Sequence, residues 1–232
     1  MSFSPPQSRL TSCQLPQRWS LQLSESVKKL IYFFDDYENF SAEKFLNFLT
    51  ENRREKFEKL KRKIDRDNCV ISHLLMTFAL KESGVKNFET VIGENGKPFL
   101  KSGEKFFNIS HCSQGAAVAV ADLPVGIDAQ EKNGFNERVA KRFFSEAEND
   151  FIRSVSDKEE VFTRLWTLKE SVIKCEGKTL ADIGGFSFEN YEKFFEKYEK
   201  KFSCLCEKNV LISVCGNEYF DEIKIIKTED FI

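Results

Sequence analysis

Trp166, Glu170 and Lys174 recur at four-residue intervals in WTLKESVIK, so a helix over this segment carries all three on one face. A carboxylate one turn from an ammonium can hold a divalent cation while the lysine meets phosphate oxygens that the cation bridges. An ordinary Glu–Lys surface pair beside a core tryptophan has the same spacing. Asp128 and Gln130 stand two apart in VGIDAQ, a segment that reads as a strand, so both side chains leave one face and Glu131 leaves the other. Magnesium usually takes one or two carboxylates from a protein and completes its shell with water and substrate phosphates. Asp128 with Glu170 meets that need, and Gln130 can add a neutral oxygen.

Anion-binding groups lie nearby in the sequence. FFNISHC puts Ser110 and His111 at the end of a strand, where a hydroxyl, an imidazole and backbone donors can meet a phosphate. With two histidines in the chain a polyhistidine metal site is excluded, and nothing in the sequence assigns a Ser-His-Asp triad. Lys97 follows the turn pair Asn95-Gly96, and Pro98 holds the next residues extended, which suits a plain hairpin or a loop that offers charge to a nucleotide. Arg53, Arg54, Lys56, Lys59, Lys61, Arg62 and Lys63 form a basic run that reads equally as a phosphate-attracting face or a solvated one. There is no GxGxxG and no GxxxxGK[ST], so neither a dinucleotide-binding turn nor a P-loop is supported.

Positioning these groups needs an α+β framework. LIYFF from Leu30 predicts a first strand, Ser41 and Thr50 are candidate caps for two helices, and a third helix is expected from Asp65 to Ser83, ending at Gly84. The period then shifts to two: ETVIGE, PFL, FFNIS, AAVAVAD and VGIDAQ read as short strands. Helices return over 136–176, with a Ser145/Glu148 capping box and a long helix covering about Lys158 to Cys175. The tail segments GGFSFENYEKFF, FSCLCE, VLISVCG and EIKIIK alternate as strands do. Helices followed by strands occur twice, which suggests two α+β halves at 24–110 and 111–232, the second carrying the metal site. A ligand cleft is expected between them. Residues 1–23 read as a loosely ordered extension, with Trp19 a possible docking point.

Of 232 residues, 35 are Lys or Arg and 37 Asp or Glu, a balance that gives no reason to expect a nucleic-acid partner. The seven cysteines lack the paired spacing of a disulfide framework or zinc site and read as reduced thiols. No apolar run approaches the ~20 residues that cross a bilayer, and the start has no continuous apolar signal region, so a cytoplasmic protein without a membrane span is expected.

Taken in order, GKPFL, FNISH, VGIDAQ, KRFFSEAE and LWTLKESVIKCEGKTL resemble the phosphopantetheinyl transferases, in particular the larger single-chain type, over about 53–186. The resemblance implies two similar α+β halves in a pseudo-twofold arrangement, with the ligand cleft between them. It implies transfer of the 4′-phosphopantetheine group of coenzyme A to a serine of an acyl or peptidyl carrier protein, releasing adenosine 3′,5′-bisphosphate, by a monomer. Asp128 and Glu170 would be magnesium ligands, with Gln130 adding a neutral oxygen; Glu170 or a water it holds would be the base, and Lys174 would contact the pyrophosphate. Lys97, Pro98, Ser110 and His111 would line the adenine and 3′-phosphate pocket, with Arg53 and Lys56 as further donor contacts, and Glu148 would orient Lys174. Three departures stand out: Gln130 replaces a frequent glutamate, a usual arginine is missing from the third helix where Arg66 stands nearby, and GKGL is here Gly177-Lys178-Thr179-Leu180. A phosphohydrolase using the same groups with water as acceptor, or a non-catalytic carrier-binding relative, would share the pattern.

Overall fold

The computed structural model describes residues 29–132, 134–188 and 200–232. The expected extension over 1–23, with Trp19, lies outside them, as does the 189–195 part of the expected strand GGFSFENYEKFF. Nine strands and five α-helices are described: β1 Leu30–Phe34, α1 Glu51–Lys59, α2 Lys63–Glu82, β2 Thr90–Ile92, β3 Pro98–Leu100, β4 Phe106–His111, β5 Ala116–Ala121, β6 Gly126–Glu131, α3 Glu137–Phe143, α4 Glu146–Ser154, α5 Lys158–Glu176, β7 Lys201–Glu207, β8 Val210–Gly216 and β9 Glu222–Ile226. The mixed α+β class is as expected.

Two sheets stack between two long helices. One has the order β4-β5-β1-β9 and the other β6-β8-β7. Alternation decides what each face meets: Ile31, Phe33, Ala117, Ala119, Ala121, Ile127, Ala129, Val210, Ile212 and Val214 form the core between the sheets. The intervening Tyr32, Phe34, Ala116, Val118 and Val120 pack with the α2 stripe of Val70, Ile71, Leu74 and Leu75. Covered on both sides, β5 is buried throughout, which is why AAVAVA reads as a continuous apolar run.

The expected division at 110 does not follow the sheets. Cys112 N–H bonds Gly115 O at 2.8 Å and closes a tight hairpin, so β5 must pair with β4. The chain crosses to the second sheet only at 122–125. The last strand then returns, β9 lying parallel to β1 with Ile223 opposite Ile31. The first sheet therefore draws on residues 30–34, 106–111, 116–121 and 222–226.

Local signals mostly hold. Ser145 and Glu148 make the expected capping box, and α5 ends at Gly177 with φ 67°, a left-handed turn that glycine adopts without a Cβ penalty. Ser41 and Thr50 occupy cap positions but make no side-chain cap bond, and the segment after Ser41 is a 3-10 helix. The start of GGFSF is also 3-10 rather than strand, because Thr179 and Asp182 cap the turn Leu180–Gly185.

Candidate functional site

The site forms where the edge of one sheet meets the edge of the other. β4 and β6 are edge strands, and Asn108 on β4 accepts the Ile127 N–H of β6 at 2.8 Å, satisfying a backbone donor that no strand reaches. Above them lies α5, brought close by Gly126: a Cβ there would fall 2.1 Å from Ser171 O and 2.3 Å from Cys175 N. That backbone contact places Glu170 and Lys174 over Asp128 and Gln130, which leave β6 on the same face as Gly126.

A cavity of about 270 Å³ is lined by Ser110, His111, Asp128, Gln130, Trp166, Glu170 and Lys174 together with Ile109. Six of the expected site residues, Ser110, His111, Asp128, Gln130, Glu170 and Lys174, thus converge here from three elements. Asp128 is 5 % exposed. Its Oδ1 accepts from Ser110 Oγ at 2.8 Å and from Lys174 Nζ at 2.6 Å, and Lys174 also reaches Ser110 Oγ at 3.2 Å. Burial, and then the charge of Asp128, push the Glu170 carboxyl up to about 6, with Lys174 opposing. His111 is held below its ordinary value by burial and by the ammoniums of Lys174 and Lys56, so it is neutral near pH 7 until an anion arrives.

A second cavity of about 160 Å³ shares Lys174 and is lined by Asn95, Gly96, Lys97, Pro98, Asn108, Gly177 and Lys178. Lys97 and Pro98 are therefore at the site, but the Lys97 ammonium is engaged. It donates to Lys174 O, to Val125 O at 3.3 Å and to Cys175 O at 3.4 Å, capping the end of α5, while Asn95 donates to Gly177 O at 2.9 Å. The hairpin that looked like a donor loop is also a clamp on the turn bearing Lys174. Lys97→Met should cost about 1–3 kcal/mol in urea unfolding, since it strands buried carbonyls; a residue serving only as a ligand contact would leave stability unchanged.

Other expected placements differ. Glu148 does not meet Lys174: it pairs with Lys169 at 2.8 Å and accepts the Ser145 and Phe188 N–H groups. Lys169 lies about 100° round α5 from Glu170, and its ammonium also donates to Phe143 O and Phe186 O. Lys169 is 1 % and Glu148 3 % exposed. Breaking such a pair leaves a buried charge uncompensated, so Lys169→Met should lose about 3–5 kcal/mol. Adding Glu148→Gln should restore part of that loss in the same unfolding measurement. Arg66 stacks 4.3 Å from the Phe57 ring and pairs with Glu43 at 3.6 Å, and lines neither cavity. Lys56 acts on His111 through its charge, whereas Arg53 acts on His73; neither lines either of these two cavities.

Among the described residues no group of three or more His, Cys, Asp or Glu is placed to hold a metal ion. A cation here would rest on two carboxylates, the Gln130 amide oxygen and water. That donor set fits a hard ion, and the mutual repulsion of Asp128 and Glu170 leaves the cavity short of positive charge.

A family described as the 4′-phosphopantetheinyl transferase superfamily matches residues 124–215, the stretch holding β6, α5 and β8. The protein is similar to 4′-phosphopantetheinyl transferase Sfp of Bacillus subtilis, with 32% identity over 148 residues, 60% of this chain and 65% of that relative. Residues 124–215 therefore resemble the 4′-phosphopantetheinyl transferase superfamily. The chain is also 32% identical over 140 residues to the 4′-phosphopantetheinyl transferase psf-1 of Bacillus pumilus, covering 58% of this chain and 60% of that relative. To the 4′-phosphopantetheinyl transferase HetI of a Nostoc strain it is 36% identical over 100 residues, or 38% and 41% of the two chains. The matched stretch spans under two thirds of the Sfp and psf-1 lengths. The matched region carries Asp128, Gln130, Glu170 and Lys174, and the Ser110–His111 strand lies just before it. The altered GKTL turn still forms, Gly177 taking the left-handed position and Thr179 starting the next turn.

Proposed function

We propose that the protein transfers the 4′-phosphopantetheine group of coenzyme A to a serine of an acyl or peptidyl carrier protein, releasing adenosine 3′,5′-bisphosphate. The observation that carries this reading is the single cavity bordered by Asp128, Gln130, Glu170 and Lys174, with Ser110 and His111 on its rim. Asp128, Gln130 and Glu170 would hold magnesium, which when bound supplies positive charge to the pyrophosphate. Lys174 would exchange its ion pair with Asp128 for the pyrophosphate oxygens and offset charge that builds on the departing 5′-phosphate. Glu170, or a water it holds, would take the proton from the carrier serine as its oxygen bonds to phosphorus and the bridging P–O bond breaks. His111 and Ser110 would receive the 3′-phosphate, which raises the His111 pKa by its own charge. Lys97 and Pro98 would border the adenine.

The layering supports a pseudo-twofold pair of α+β halves, since α2 on the first sheet and α5 on the second are long helices laid across short strands. We infer a monomer acting in the cytoplasm. Among the described residues no helix is long and apolar enough to cross a membrane.

The test is intact-mass analysis of carrier proteins after incubation with the protein, coenzyme A and magnesium. Addition of the phosphopantetheine arm is expected, and carriers left unmodified across a panel would overturn the reading. Release of phosphopantetheine without a carrier would instead favour the hydrolytic alternative. In the same assay Gln130→Glu should lower the magnesium concentration giving half-maximal rate several-fold, because a third carboxylate strengthens a hard-cation site. An unchanged requirement would remove Gln130 from the ligand set.

A further inference from the structure

Two thiols outside the proposed chemistry are set against each other. Gly126 on β6 lies directly opposite Cys215 on β8 in the antiparallel register. Opposite residues in such a pair point to the same face, with Cβ atoms about 4.5–5.5 Å apart. The position a Gly126 Cβ would take is already filled by Cys175, whose backbone N lies 2.3 Å and Cα 2.9 Å from it. Cys175 therefore sits where a cross-strand neighbour of Cys215 would be, on the same face of the sheet. The Cys215 thiol is the first influence on the Cys175 thiol, and Cys175 Sγ meets Pro124 O at 3.3 Å. Both are buried, and both are free thiols in this structure.

We propose that Cys175 and Cys215 form a dithiol that a peroxide closes to an intramolecular disulfide, fastening the last turn of α5, which bears Lys174, to β8. The step balances. Cys175 as thiolate attacks a peroxide oxygen and releases hydroxide, which leaves as water with a proton; the Cys215 sulfur then displaces the second hydroxide from the sulfenic acid, giving one disulfide and two waters from two thiols and one hydrogen peroxide. The Cys215 thiol and the ammoniums of Lys200 and Lys97 favour the Cys175 thiolate, while Cys215, buried beside it, is held as the thiol. Lys97 and Lys174, the second of them the chain neighbour of Cys175, both line the smaller cavity.

The experiment treats the full-length folded protein with hydrogen peroxide, blocks remaining thiols by alkylation, and maps the linked peptides. Expected is a loss of two hydrogens assigned to a Cys175–Cys215 peptide pair, with a melting temperature raised on the order of 5 °C and restored by dithiothreitol. In Cys215→Ser the linked pair and the shift should both vanish. Should that variant fail to fold, the wild-type map decides by itself. Oxidation confined to the exposed Cys206, with Cys175 and Cys215 still alkylated after unfolding, would overturn the proposal. So would a link that forms only when peroxide is added in urea, since it would owe nothing to the native geometry.

Discussion

Glu170→Gln should lower the transfer rate by about a thousandfold, the scale seen when one preorganised group is removed from a charged transition state, while making the metal-free protein more stable. The two effects share a cause. Burial, followed by the charge of Asp128, raises the Glu170 carboxyl from 4.5 to about 6. A carboxyl raised on folding stabilises the folded protein below its unfolded value, and that contribution fades as pH rises toward about 6. At pH 7.5 the ionised Glu170 is therefore a cost, and the neutral amide removes it, worth on the order of 1 kcal/mol. In the wild type the same shift predicts that magnesium binding weakens about tenfold per unit below pH 6, as protons compete for the carboxylate. Thermal melts of the metal-free proteins and magnesium titrations at pH 5 and 7.5 check both signs. A Gln variant that is less stable without metal, or a magnesium affinity flat between those pH values, would mean that Glu170 is not a strained carboxylate awaiting a cation.

That strain was not visible in the spacing of residues, although the identity of the group was. Four-residue spacing put Glu170 and Lys174 on one helix face, and period two put Asp128 and Gln130 on one strand face, because these rules depend only on local backbone geometry. Their convergence depends on Gly126, whose missing side chain lets α5 rest on β6, and such a long-range contact leaves no local period. Lys97 is instructive for the same reason. A lysine after an Asn-Gly turn looks available, yet its ammonium is taken by carbonyls some 77 residues away in the chain. Glu148 was legible as a capping-box residue and illegible as the partner of Lys169, because only the fold brings α4 against α5. The return of β9 to β1 was hidden likewise: EIKIIK announces a strand but not its neighbour.

Asp128→Asn should fall as far as Glu170→Gln, by about a thousandfold, and the way it falls separates its two jobs. Asp128 Oδ1 holds the Lys174 ammonium at 2.6 Å, which keeps Lys174 over the cavity and leaves Oδ2 for a cation. A pure lysine-positioning role predicts that Asp128→Asn and Lys174→Met lose the same fraction of rate and that the double variant loses no more than either, as groups acting as one unit do. A pure metal-ligand role predicts a raised magnesium requirement in Asp128→Asn alone, with losses that add in the double variant. The geometry supports both roles. Asp128→Asn should therefore raise the magnesium requirement at least tenfold, which Lys174→Met should not, while the double variant should fall short of the sum of the single losses by on the order of 1–2 kcal/mol. Full additivity would separate Lys174 from Asp128 during the reaction, and an unaltered magnesium requirement would take Asp128 out of the cation's shell, leaving Glu170 without the second carboxylate that the site needs.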